Sequence, residues 1–185
     1  MDNLFKNYYQ LIQATDDCVN KNMVMPALVL IYTAIDSVSW IASDNPNEGV
    51  GTRFQNWVSA WMLQNEKLTC TAEELYAARC GVLHTLTPNS SLSENKGVRK
   101  IAYAWGKAKQ EELEESISAL SMSVDIASIH LEDLFLSFRE GFSNYLEHTF
   151  SIEEEKKKFL SKTGQHFANI EMEKIDEFLE ITRNN

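Results

Sequence analysis

The chain has 185 residues and a mass of 21.1 kDa, enough for one domain whose core needs no disulfide or metal staple. Apolar residues make up 44% and charged residues 24%, with only 7 Gly and 3 Pro; this excludes collagen-like or linker-type sequence and argues against a loop-rich β-sandwich. The net charge of −10 disfavours non-specific nucleic-acid binding, but it is unevenly spread, and residues 51–110 alone are basic, with 8 cations against 4 anions.

The opening segment reads as helix, with Leu4, Tyr8, Leu11, Ile12 and Val19 recurring at helical spacing. It lacks the basic-then-apolar pattern of a signal peptide. Pro26 suits a first helical turn, and the near-continuous apolar run from Ala27 to Ala42 then predicts a central helix buried on most sides. That run is shorter and more interrupted than the ~20 apolar residues of a membrane span, so no membrane attachment is expected. Asp36 is the one charge inside it, expected as a partly exposed or locally hydrogen-bonded carboxylate.

Residues 43–51 group Asn, Asp, Pro and Gly and read as a loop. A third helix follows, with Phe54, Trp57, Val58, Trp61 and Met62 on one face. Thr71 and Glu74 form a Thr-x-x-Glu capping box that starts a fourth helix near Ala72, ending before Pro88. Residues 87–97 read as loop. Residues 98–105 and 122–129 favour short strands, which predicts a small β-hairpin, with a solvent-facing acidic helix between them. A period-3.6 stripe from Leu131 to Leu146 predicts a long helix over 130–149; Ser151 is expected to cap another reaching Lys162, and a short helix is expected over 171–182. The expected class is therefore mainly α, a bundle of six or seven helices. Residues 1–185 form a single domain in this reading, with a core over 1–150 and a C-terminal helical extension over 151–185. Three cysteines without framework spacing predict free thiols in a reducing, cytoplasmic setting.

The fourth helix carries the candidate chemistry. Ala77 and Gly81 lie about 40° apart on a helical wheel and make a face almost without side chains, to which another backbone can come close. Intramolecular packing and a two-fold seam between subunits both satisfy that pattern. Arg79 and His84 are separated by a rise of about 7.5 Å. A fixed cation with a fork of donors suits a phosphate, and an imidazole accepts or donates protons near neutral pH. Together they suit metal-independent cleavage of RNA, one group serving the 2′-hydroxyl or the leaving oxygen and the other the charge of the transition state. The ordinary alternative is Arg79 in an ion pair and His84 near a helix C-terminus. Cys80 and His84, four apart, could share a metal, but no further ligands are evident and a buried thiol is the simpler reading; no metal or other cofactor is expected.

Tyr76-x-x-Arg79-Cys80-Gly81-x-Leu83-His84 resembles the Arg-x4-6-His signature of HEPN domains, the nucleotide-binding domains of higher eukaryotes and prokaryotes. The apolar run ALVLIYTAIDSVSW resembles the long helix upstream of that motif, and RFQNWVSAWM the helix just before it, so the resemblance covers roughly residues 5–150. It implies a helical bundle that pairs as a homodimer, with both Arg/His motifs sharing one cleft, and an endoribonuclease of toxin–antitoxin or phage-defence type. Arg79 and His84 are then the catalytic pair. Tyr76 and Cys80 line the cleft, Arg53, Arg99 and Lys100 attract the RNA backbone, and Ala77 and Gly81 form the dimer seam. An antitoxin or regulatory protein is an implied partner. Many relatives carry Asn, Asp or His directly after the Arg, where this chain has Cys80. Non-catalytic members exist, and a protein- or nucleotide-binding or dimerisation module is the alternative reading.

Overall fold

The structure is a computed structural model that describes residues 3–65, 67–95, 97–119 and 126–163. Among these residues the chain is mainly helical, with eight α-helices and one small two-stranded sheet. The first two helices, α1 (Asn3–Asn20) and α2 (Val24–Ala42), are followed by α3 (Val50–Trp61), α4 (Ala72–Thr85) and a five-residue α5 (Ser91–Asn95). Strand β1 (Lys100–Ala104), helix α6 (Gln110–Ala119) and strand β2 (Ile126–His130) come next, then α7 (Leu131–Ser151) and α8 (Glu153–Thr163). The short helix expected over 171–182 lies outside the described residues.

Helix α2 forms the centre. It packs against α1, α3, α4, α7 and α8, and Leu28, Ile31, Tyr32, Ile35 and Val38 are all fully enclosed. By length and composition alone α2 could cross a membrane, contrary to the sequence expectation; half of that apolar stretch is buried within the bundle. Aromatic rings fill the space between α7 and its neighbours: Tyr8 stacks on Phe142 at 4.7 Å, and Trp57 meets Phe138 at 6.1 Å. Gly141 lets α7 approach the end of α3, since a Cβ there would lie 2.7 Å from the Trp61 carbonyl oxygen.

The two strands pair in parallel, from Lys100 opposite Ile126 to Ala104 opposite His130, so the expected hairpin is corrected to a β-α-β unit. The reason is the connection: it contains α6, which carries the chain back so that the second strand runs the same way as the first. Tyr103 joins this unit to the bundle by a 2.6 Å hydroxyl–hydroxyl bond to the enclosed Tyr32 of α2. Burial pushes both phenols upward in pKa. His130 begins α7 by accepting the Glu132 N–H at Nδ1, which leaves Nε2 to donate to the Ala108 carbonyl.

Two smaller expectations change. Residues 87–97 contain α5, which the Ser90–Ser93 pair initiates: each serine hydroxyl accepts the other's backbone N–H. Ser151 ends α7 rather than capping α8, its hydroxyl donating to the His148 carbonyl.

Helix α4 stops at Leu86, which adopts a left-handed conformation at φ 54° and is 60% exposed. A non-glycine residue costs about 1–2 kcal/mol there, and little apolar burial offsets it. Leu86→Gly should therefore raise stability by up to about 1 kcal/mol in chemical denaturation. A destabilised variant would mean that the Leu86 side chain contributes more by packing than its left-handed backbone costs.

Candidate functional site

The N-terminus of α4 is fixed twice. Thr71 accepts the Glu74 N–H at 3.2 Å, and the Glu74 carboxylate accepts the Thr71 N–H at 2.8 Å, completing the expected capping box. The same carboxylate, almost wholly buried, receives Nε and Nη2 of Arg99 at 2.5 and 3.0 Å. Arg99 thus anchors α4 beside β1 through Glu74, while its side chain remains a third exposed. Lys100 donates to the Asn89 side chain at 2.6 Å and steadies the loop after α4.

From these fixed ends α4 exposes one stripe. Tyr76, Arg79, Cys80 and Leu83 are half-buried and His84 is exposed, while Leu75, Ala78 and Val82 face the core. The spacing of three and four residues makes the accessible positions contiguous on the helix surface. Arg79 and His84 lie about 140° apart on an ideal wheel, yet the long arginine side chain bridges that angle and brings Nη1 to 3.2 Å from His84 Nε2. A guanidinium only donates, so Nε2 accepts and the ring proton sits on Nδ1.

The other edge of the guanidinium meets Asp36 of α2. Nε donates to Asp36 Oδ2 at 2.8 Å, and Nη2 makes a very short contact with the same oxygen. The side chains are only 13% and 20% exposed, so the pair is largely removed from water. Burial alone would lower the Arg79 pKa; hydrogen bonding and charge from Asp36 more than offset that and raise it. Asp36 Oδ1 is also buried and accepts no hydrogen bond among the described residues. The Tyr76 ring lies 5.9 Å from the Arg79 guanidinium carbon. That ring rests against Gly51 of α3, where a Cβ would stand 2.8 Å from it. Burial, then Cys80, pushes the Tyr76 phenol up, against the pull of Arg79.

Sequence reasoning expected Asp36 to be unremarkable, and its partner had to come from elsewhere in the fold. One carboxylate inside an otherwise apolar buried helix was the available signal, because such a charge needs a counter-ion. The arrangement Asp36–Arg79–His84 runs from the bundle interior to the surface. It holds a cation rigidly beside an accessible imidazole nitrogen. Among the described residues, one guanidinium N–H remains on Nη2, and one on Nη1 reaches only Cys80 Sγ at 4.0 Å.

The small-residue face does not lie on this accessible stripe. Ala77 is 3% exposed, and a Cβ at Gly81 would stand 2.4 Å from the Thr87 carbonyl oxygen and 2.9 Å from that of Asn89. At Gly81 the close backbone approach that the small residues permit is made within the protomer by the loop after α4. Arg53 is placed apart, at the C-terminal end of α2 with Trp40 and Lys162. Among the described residues no three His, Cys, Asp or Glu side chains gather as a metal centre requires. Cys70 is buried and its thiol is pushed up to about 12. Comparisons with protein-family models, with curated proteins and with solved structures give no match to this chain.

Proposed function

We propose that the chain is a metal-independent endoribonuclease of HEPN type, acting in the cytoplasm as a toxin or phage-defence effector. The observation that carries this reading is the 3.2 Å contact between Arg79 and His84, with Asp36 gripping the far edge of the guanidinium. In the reaction proposed, the ribose 2′-oxygen attacks the adjacent phosphorus, and the 5′-oxygen of the next nucleotide leaves. His84 takes or supplies a proton; Arg79 offers its remaining donors to the oxygens that gain charge. One such pair is sparse for both proton transfers, so the active form proposed is a homodimer in which two stripes of Tyr76, Cys80, Leu83 and His84 face each other across a two-fold axis. Arg79 then reaches the shared cleft from behind the stripe. An antitoxin or regulatory protein is the partner class that fits such an enzyme.

A non-catalytic module for binding or dimerisation is the second reading. It is favoured by the same salt bridge, because Asp36 occupies two of the donors that a phosphate would use.

One assay separates the two. Purified protein incubated with RNA in EDTA should cleave it and leave 2′,3′-cyclic phosphate ends, and His84→Ala should abolish this without changing the solution mass of a dimer. Activity that survives His84→Ala, or full cleavage by a protein that remains monomeric, would overturn the ribonuclease reading as stated. Failure to cleave any RNA supports the module.

A further inference from the structure

At the C-terminal end of α2, between α3 and α8, two adjoining cavities of about 240 and 290 Å³ share Ser43, Asp44 and Arg53 as walls. Two nitrogen donors from α3, four residues apart, belong to these walls and are unsatisfied. Arg53 Nε and Trp57 Nε1 are both buried and have no hydrogen-bond partner among the described residues. Trp57 as a whole is 3% exposed. An N–H buried without an acceptor costs about 1–3 kcal/mol, so two at one cavity call for an acceptor that the described residues do not provide.

The carboxylates nearby are already engaged. Glu48 accepts from Ser43 Oγ at 2.5 Å and from Asn56 Nδ2 at 2.9 Å. Asp44 is paired with Lys158 at 3.2 Å. Lys162 of α8 donates to the Ile41 carbonyl at 2.9 Å and to that of Ser43, so it ties α8 over the end of α2 and adds a second cation to the wall. Burial holds its ammonium below the usual lysine range. A guanidinium and an indole in the wall of one cleft favour an acceptor that is also negative, and Trp40 and Trp61, in the same walls, add apolar surface for the rest of a small molecule.

We propose that this cleft binds the oxyanion head, a phosphate or a carboxylate, of a small ligand, with Arg53 and Trp57 as its donors. The site is separate from Asp36, Arg79 and His84 and does not rest on the ribonuclease reading.

The test uses the four indole N–H signals that the four tryptophans give in nitrogen-15 NMR, with Trp57→Phe assigning one of them. The full chain is titrated with inorganic phosphate or with acetate at constant ionic strength. The Trp57 signal should move saturably, with a Kd of about 1–10 mM. Saturation by phosphate alone assigns a phosphate ligand, and saturation by acetate alone assigns a carboxylate. Arg53→Gln should weaken binding about tenfold or more, and Arg53→Lys less, because it keeps the charge but loses the fork. His84→Ala should leave the titration unchanged. A Trp57 signal that stays still, drifts without saturating, or moves equally in Arg53→Gln overturns the proposal.

Discussion

Asp36→Ala should reduce RNA cleavage about as deeply as Arg79→Ala, by about 100-fold or more, although Asp36 is a positioning residue that need not touch RNA. The argument is geometric. Arg79 projects from α4 at an angle far from His84, and it reaches the imidazole only because its other edge is clamped by Asp36 from α2. Without the carboxylate the guanidinium samples several rotamers and no longer holds a donor at a fixed place, so the loss should fall on kcat more than on KM. The double variant Asp36→Ala with Arg79→Ala should be little worse than either single one, because both remove the same unit. Asp36→Asn keeps an acceptor of the same shape but not the charge, and it should retain intermediate activity. Circular dichroism must show all variants folded. Multiplicative losses in the double variant would mean that Asp36 acts on its own. Full activity in Asp36→Ala would mean that the salt bridge restrains Arg79 rather than aims it, as the module reading has it.

Much of the bundle was legible because its signals are local. The Thr71–Glu74 box lies within four residues and makes the bonds its spacing predicts. The stripe on α7 repeats over about four turns, too many for chance to imitate, and Leu134, Phe138 and Tyr145 are buried as it requires. What failed depends on chain path. Two short apolar segments do not say whether they pair parallel or antiparallel; the answer lies in the helix between them. The candidate site divides the same way. Arg79 and His84 share one helix and could be read as a pair, whereas Asp36 comes from 43 residues away, and its choice of Arg79 over other cations is a tertiary fact. Glu74 shows the converse. Its capping role was visible, but its ion pair with Arg99, 25 residues away, was not.

Gly81→Ala should destabilise the protein, against the direction that helix propensity alone predicts. In an exposed helix interior the change would stabilise by about 1 kcal/mol. Here the added methyl would meet two carbonyl oxygens, of Thr87 and Asn89, and neither is the end of a flexible side chain. The loop cannot simply swing away. Thr87 N–H donates to the Gly81 carbonyl at 3.3 Å, and Lys100 holds the Asn89 side chain. Overpacking of this kind costs about 1–3 kcal/mol, which for a chain of this length lowers Tm by about 2–12 °C. The measurement also decides where the subunits meet. If Gly81 lay in a dimer seam, the substitution would lower the solution mass at micromolar concentration. With the glycine covered by its own loop, stability should fall while any dimer formed through the Tyr76–His84 stripe keeps its mass. A stabilised protein would show that the loop does not cover Gly81 in solution, and a dissociated one would restore the seam that the small residues first suggested.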